Sequence, residues 1–281
     1  MRIAFIGKGG SGKSSVSWMM ANTIADKKGY VCAIDADHNM DLTSHFNFDF
    51  TDQTNTFHRL HDDFRLEVGQ KEDKAWSNIV LDGRILPQFT VGQEADTYSE
   101  RVKHTINDTT DLMIVGLGAD DVLYSQRCAH GHSASLKYYL SLVDARNSYI
   151  VIDGVAGADM LHAGVYVAVD FLSIIVEPQP NSIRVAKQLR SIAQELKIPF
   201  CIIVNKAAEN KFLDEINQEF VDSIVGYIPV DTSIIHGDFS GITADTKKVL
   251  EDILESFEER FSYSDTLPRL QKFEQSRLEN K

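Results

Sequence analysis

Seven short apolar runs punctuate the chain, at residues 2–6, 30–34, 112–115, 149–152, 171–176, 200–204 and 224–228. Each run is continuous rather than alternating and is rich in β-branched or aromatic side chains. Strands covered on both faces read this way, and parallel sheets supply such strands. Between the runs lie stretches with the 3.6-residue period of helices. Residues 14–28 place Val16, Met19, Met20 and Ile24 on one face, with Gly29 as a stop. Further helical patterns occupy 134–144, 182–196, 211–222 and 245–261, the last with Val249, Leu250, Ile253, Leu254 and Phe257 on one side. The alternation predicts an α/β fold, a mostly parallel β-sheet flanked by helices on both faces in three layers.

One domain is expected over residues 1–262. Within it, residues 49–110 are charged, and Gly83, Pro87 and Gly92 break them into short runs of hairpin character, so they read as an insertion. Residues 263–281 read as a polar C-terminal tail, peripheral or frayed. Charge narrows the choice of partners. The net charge of −13 opposes non-specific binding to DNA or anionic lipid, so neither a DNA partner nor a membrane anchor is expected. Gly7 and Lys8 end the first apolar run well short of a secretory core. No stretch approaches the roughly 18–20 apolar residues that span a bilayer. The three cysteines, Cys32, Cys128 and Cys201, are sparse and odd in number, which suits a reducing cytoplasm.

Chemistry is concentrated at residues 7–14, which read GKGGSGKS between the first predicted strand and the first predicted helix. Gly7, Gly12, Lys13 and Ser14 satisfy the G-x-x-x-x-G-K-[ST] pattern of a phosphate-binding loop. Gly9, Gly10, Ser11 and Gly12 let the backbone wrap phosphate oxygens with N–H groups aimed inward. The helix that opens at Ser14 and Ser15 adds the positive end of its dipole. Lys13 reaches the β- and γ-phosphates, and the Ser14 hydroxyl is placed to ligate Mg²⁺. A glycine-rich turn with an exposed lysine is the bland alternative, and the strand–loop–helix context disfavours it. Two further acids end predicted strands. Asp35 and Asp37 follow the second, and Asp153, between Gly154 and an apolar run, follows the fourth. Carboxylates past a strand's C-terminal end lie at the rim where α/β folds bind ligands. Asp153 has the pattern of an acid beside Mg²⁺. Asp41 reads as a helix cap.

KGGSGKS resembles the deviant phosphate loop of the MinD/ParA/nitrogenase-iron-protein class of P-loop ATPases. The resemblance implies that Lys8 reaches across a two-fold interface to the partner's nucleotide, so that the protein is a homodimer with ATP. It implies that Asp37 positions or activates the attacking water and that Asp35 supports the metal shell. Where that class often has proline after the second aspartate, this chain has His38. The resemblance also implies that Asn205-Lys206 and the loop containing Pro229 hold adenine. Asn205 can offer a donor and an acceptor to a base edge. Residues 205–208 are Asn-Lys-Ala-Ala rather than a guanine-reading Asn-Lys-x-Asp, which favours ATP.

A narrower resemblance runs from residue 1 to about 260 and is carried by GKGGSGKSS, DADHN, SQRC, VIDGVAGADMLHAG, IVEPQPNSIRVAKQL and VNKA. These segments look like the CooC-type ATPases, which assist nickel insertion into carbon monoxide dehydrogenase. The implied function is a dimeric maturation factor or metallochaperone acting on a client metalloenzyme, such as a carbon monoxide dehydrogenase-like nickel enzyme. That family has Cys-x-Cys where this chain has Cys128 and His130, with His132 two residues on. Thiolate and imidazole suit Ni²⁺ or Zn²⁺, and a shared site would need ligands from both subunits. An exposed polar loop with one buried cysteine is the alternative. A MinD/ParA-like positioning ATPase is the competing function, although residues 262–281 lack a wide apolar stripe for lipid.

Overall fold

The computed structural model describes residues 1–37, 39–69, 75–116, 129–235 and 241–279. Eight strands form one sheet: β1 Arg2–Gly7, β2 Val31–Asp35, β3 Lys103–Asn107, β4 Thr110–Ile114, β5 Ile150–Asp153, β6 Phe171–Val176, β7 Phe200–Ala207 and β8 Ile224–Pro229. Their order is β3-β4-β2-β5-β1-β6-β7-β8, and all neighbours are parallel except the β3–β4 pair. The helices are α1 Lys13–Lys28, α2 Asp41–His45, α3 His61–Glu67, α4 Ser77–Leu81, α5 Thr97–Val102, α6 Ala129–Leu142, α7 Asp159–His162, α8 Pro180–Glu195, α9 Lys211–Phe220, α10 Thr232–Ile235, α11 Ala244–Arg260 and α12 Leu267–Glu279. The mostly parallel, helix-flanked sheet expected from the apolar runs is the sheet observed.

Continuous apolar runs were expected to be buried on both faces, and β1 shows why. Ile3 and Phe5 enter a core shared with Met20 of α1 and Leu250, Ile253 and Phe257 of α11. Ala4 and Ile6 enter the opposite core, shared with Leu140 of α6 and Ile183 and Leu189 of α8. Period-2 alternation thus feeds two cores, so both faces of the strand call for apolar residues except where a buried polar group is paired.

The described residues of 49–110 contribute three short helices and β3, which runs antiparallel to β4 across a two-residue turn and forms the hairpin at the edge of the sheet. Phe57, Phe64, Phe89 and Tyr98 are buried, and they pack in the same core as the sheet. Their rings meet Tyr139 of α6 at centroid distances of 5.1 to 6.5 Å. These rings join the segment to the main core of the domain.

The expected polar tail is corrected over most of its length. Residues 267–279 are helix α12, with Leu270 fully buried and Phe273 packed against the main core. Lys137 of α6 and Glu274 of α12 form a buried ion pair at 2.7 Å. The sequence concealed this because Glu274 and Arg269 occupy the inward side of a helix with few apolar residues.

A second buried ion pair ties this end of the chain to the first strand. Arg2 is 1% exposed and contacts Asp170 Oδ1 at 3.0 Å, the Leu140 carbonyl at 2.8 Å and Thr266 Oγ1 at 2.7 Å. Asp170 also accepts from the Ser264 amide and hydroxyl, both at 2.8 Å. Burial pushes the Asp170 carboxyl up, but the hydrogen bonds and charge of Arg2 outweigh it and hold the group below its ordinary range. Asp170→Ala strands the Arg2 guanidinium, so it should destabilise the fold by about 3–5 kcal/mol at pH 7. In the wild type this contribution should be present at neutral pH and lost on acidification below about pH 4, because the unfolded carboxyl takes up its proton first. Urea unfolding of both proteins at pH 7 and pH 3 checks the size and the sign.

Candidate nucleotide site

The site lies at the C-terminal rim of the sheet, where β1, β2, β5, β6 and β7 all end. Residues 8–12 leave β1 and turn into α1 through Gly12, which caps the helix at φ +83°. A Cβ at Gly12 would stand 2.3 Å from Asn205 Nδ2, so both the conformation and the space require glycine. No side chain caps α1, and its first turn holds no acidic residue. The first intrahelical bond is from the Val16 amide to the Gly12 carbonyl, at 2.9 Å. The amides of Lys13, Ser14 and Ser15 therefore lack helical acceptors and face the loop, where an anion would satisfy them. Lys13 and Ser14 are themselves buried, as is Ser11, whose hydroxyl has no hydrogen-bond partner.

Two carboxylates stand side by side behind this loop, because the register pairs Asp35 of β2 with Asp153 of β5. Asp153 is fully buried, with Oδ1 accepting from the Ser17 hydroxyl at 3.0 Å and Oδ2 without a hydrogen-bond partner. Burial pushes its pKa up to about 7; the Ser14 and Ser17 hydroxyls and Lys13 pull it back, while Asp35 adds to the rise. Asp35 is likewise pushed up to about 6 by burial, against hydrogen bonds from Thr43. A buried carboxylate with one free oxygen, beside the Ser14 hydroxyl and a phosphate cradle, suits a hard divalent cation such as Mg²⁺. Asp35 is committed otherwise. Its Oδ2 accepts from the Thr43 amide and hydroxyl at 2.8 and 2.7 Å, and its Oδ1 from the Asp37 amide at 3.2 Å. It thereby fixes the segment carrying Asp37.

Asp37 is 7% exposed and accepts from the Asn39 amide at 3.1 Å. Met40, at φ +53°, then starts α2, so Met40 rather than Asp41 is the cap residue, and Asp41 lies in the first turn. The Ser15 hydroxyl contacts His45 Nε2 of α2 at 3.2 Å. The loop after Asp153 returns to β1, its Gly154 amide on the Phe5 carbonyl and its Gly157 amide on the Gly7 carbonyl, both at 2.9 Å.

Asn205 and Lys206 also reach the phosphate loop. Asn205 Nδ2 donates to the Ser11 carbonyl at 2.9 Å, and Lys206 Nζ donates to the Gly10 carbonyl at 3.1 Å and to Glu177 Oε2 at 3.2 Å. Pro229 ends β8 in register with Ala207. Lys8 lies at the outer edge of the loop with its ammonium on the Gly9 carbonyl at 2.9 Å. Cys128 and His38 lie outside the described residues, as do the side chains of His130 and His132 at the start of α6. Sequence reasoning missed Ser17, Thr43 and Glu177. Glu177 had a visible signal, since it follows β6 as Asp35 and Asp153 end their strands.

A glycine-rich loop entering an uncapped helix at the rim of a parallel sheet, backed by a strand-end acid, defines a P-loop nucleotide-binding protein. A family model described as the CobQ/CobB/MinD/ParA nucleotide binding domain matches residues 3–244, and the chain belongs to that family. It is 27% identical over 248 residues to the carbon monoxide dehydrogenase accessory protein CooC of Rhodospirillum rubrum, covering 86% of this chain and 89% of that protein. It is also 27% identical over 259 residues to an uncharacterized ATP-binding protein of Methanocaldococcus jannaschii, covering 89% of this chain and 94% of its relative. Among solved structures, the septum site-determining protein MinD of Pyrococcus horikoshii complexed with Mg-ADP shares the fold, with a TM-score of 0.63, 16% identity and 92% and 96% of the two chains covered. A plasmid partition protein of Borrelia burgdorferi bound to AMPPNP gives a TM-score of 0.62 at 18% identity over 92% and 98% of the chains.

The elevated pKa of Asp153 sets a stability signature for the nucleotide-free protein. Between about pH 4 and pH 7 the folded carboxyl holds a proton that the unfolded one has released, so this group's contribution to stability falls as pH rises. Asp153→Asn removes that loss. Without nucleotide, it should be more stable than the wild type by about 2–4 kcal/mol at pH 8 and equal to it near pH 4. Denaturant melts across that range check the sign and the size.

Proposed function

We propose that the protein is an ATP-hydrolysing, nucleotide-switched homodimer that serves as a maturation factor for a metalloenzyme, with the metal ion as cargo. The observation that carries this reading is the near-full-length likeness to the accessory protein of Rhodospirillum rubrum. In this reading the amides of residues 9–15 and the Lys13 ammonium hold the triphosphate. Ser14 and Asp153 hold Mg²⁺, which supplies charge neutralisation at the phosphates. Asp37 takes the proton of the attacking water as the γ-phosphorus bond to the bridging oxygen breaks, and ADP and phosphate leave. Lys8 acts on the partner's nucleotide. Asn205, Lys206 and Pro229 border the base. Cys128, with His130 or His132, contributes from each subunit to a site for Ni²⁺ or Zn²⁺. A client such as a nickel enzyme then receives the ion.

A positioning ATPase of the MinD/ParA kind is the second reading, and the shared fold is what favours it. The burial of Leu270 and Glu274 of α12 against the domain speaks against a lipid-binding use of that helix. Among the described residues no helix is long and apolar enough to cross a membrane.

Two variants separate binding from chemistry. Lys13→Ala should weaken Mg·ATP binding by about 2–3 kcal/mol, roughly 30- to 150-fold, as expected for losing a charge-assisted contact. Asp37→Ala should retain that affinity yet hydrolyse ATP about a hundredfold more slowly or worse. Calorimetry and phosphate release measure the two effects, and wild-type turnover by the Asp37 variant removes that residue from the mechanism.

Assembly and metal give a separate test. Mg·ATP should shift the sedimentation profile toward dimer, and Lys8→Ala should abolish the shift. Metal analysis of the ATP-bound dimer should find an ion that Cys128→Ser lacks. Equal metal content in both proteins would refute the cargo site while leaving the ATPase reading intact.

A further inference from the structure

At the N-terminal edge of the sheet, away from the phosphate loop, α12 walls a groove of about 390 Å³. Its apolar lining includes Tyr166, Leu196, Ile198 and Phe273, and its rim carries Lys197, Arg269 and Lys272. Arg269, Lys272, Phe273 and Ser276 fall at i, i+3, i+4 and i+7, one face of the helix. The adjoining side of α12 carries Leu270 and Glu274 and is buried. That face runs about 10 Å, close to three residues of extended peptide.

Three observations single this groove out. The first is charge. On a chain of net charge −13 it gathers three cations, and neither Lys197 nor Lys272 pairs with a carboxylate among the described residues. Arg269 contacts neutral oxygens, the Val169 carbonyl at 2.6 Å and Ser264 Oγ at 2.8 Å, and makes no direct ion pair among the described residues, although the Asp170 carboxylate behind Ser264 favours its charge. The second is backbone conformation. Lys197 has φ +55° and sits just past the end of α8. The Lys197 amide bonds Gln194 and the Ile198 amide bonds Ala193, the closing pattern in which glycine is the usual residue. Lysine rather than glycine at this left-handed position places an extended cation at the rim of the groove at some conformational cost. The third is exposed apolar surface, because Leu196 beside it is 39% exposed.

The floor of the groove is rigid. Phe273 meets Tyr166 edge-on at a centroid distance of 5.9 Å. It also presses on Gly164, where a Cβ would lie 2.5 Å from its ring. Gly164 belongs to the segment that leads out of the Asp153 loop.

We infer that this groove is a docking site for an acidic peptide segment of a partner protein, with one apolar or aromatic side chain seated between Tyr166, Leu196 and Phe273 and flanking carboxylates on Lys197, Arg269 and Lys272. Lys197 and Lys272, with Arg269 beside them, around an apolar floor on an otherwise acidic molecule select for that chemistry and reject basic or purely apolar segments. The site stands apart from the nucleotide machinery and does not depend on which client the ATPase serves.

Fluorescence polarisation on the full-length, nucleotide-free protein tests it, with a fluorescein-labelled peptide EDLFED as probe and KRLFRK as control. The acidic peptide should bind saturably and weaken as salt is raised, and the basic one should not bind. Lys272→Glu should weaken the acidic peptide about tenfold or more. Lys197→Gly should weaken it too while leaving the melting temperature at or above the wild-type value, because glycine relieves the left-handed turn. Nucleotide affinity should be unchanged in both variants. A dissociation constant above about 1 mM, equal binding of the two peptides, or unaltered binding by Lys272→Glu would overturn the inference. Cosedimentation with phosphatidylserine vesicles in the absence of peptide binding would assign the face to lipid and overturn it equally.

Discussion

Three backbone amides without acceptors, at the start of α1, stand in front of two buried carboxylates, of which Asp153 keeps one oxygen without a hydrogen-bond partner. Neither half of this arrangement is comfortable alone. Unsatisfied amides at a helix start attract negative charge, and the absence of a capping side chain or first-turn acid leaves that attraction unused. Behind them burial forces Asp153 and Asp35 toward their protonated forms. A phosphate with its divalent cation answers both needs at once, since the anion meets the amides and the cation meets the free oxygen of Asp153. The parallel sheet makes the arrangement possible, because it delivers β1, β2 and β5 to the same rim in register.

Much of this was legible in the sequence because the responsible constraints are local. A strand buried on both faces must be apolar throughout, so β1, β2, β5, β6 and β7 announced themselves. The phosphate loop needs glycine and lysine at fixed spacings, so residues 7–14 did too. Asp35 and Asp153 were visible as acids at strand ends. What stayed hidden depends on contacts distant in sequence. The commitment of Asp35 to Thr43 follows from how α2 packs on the rim. The bond of Asn205 to Ser11 joins residues 194 positions apart, and the first residue past the apolar run of β7 makes it.

The insertion and the C-terminal helix were the least legible parts, for a common reason. Both are stabilised by side chains whose hydropathy misleads. β3 reads Lys-His-Thr-Ile-Asn, polar because an edge strand faces solvent. α12 turns Arg269 and Glu274 toward the domain, where Val169, Ser264 and Lys137 satisfy them. A charged residue is ordinarily the mark of an exposed face, and here two of the partners that reverse that rule, Val169 and Lys137, lie a hundred residues or more away. Aromatic rings contributed as well, since Phe57, Phe64 and Phe89 are scattered singly through a charged segment yet converge on Tyr139.

The same ledger of contacts says which parts of the molecule can move. The loop after Asp153 is tied to β1 by two backbone hydrogen bonds, from Gly154 to Phe5 and from Gly157 to Gly7. Such bonds contribute about 0.5–1.5 kcal/mol each in net terms, within reach of the differential affinity a nucleotide can supply. α12 is tied down by the buried pairs Lys137–Glu274 and, through the segment leading into it, Arg2–Asp170. Stranding either partner of a buried pair costs about 3–5 kcal/mol, so separating this helix would spend most of a domain's stability. Rearrangement at the nucleotide rim is therefore expected to stay within residues 154–163 and to end where Gly164 meets Phe273. The C-terminal helix meets that boundary through Phe273, which packs on both Gly164 and Tyr166, so the buried pairs that hold α12 also hold the wall of the groove beside it.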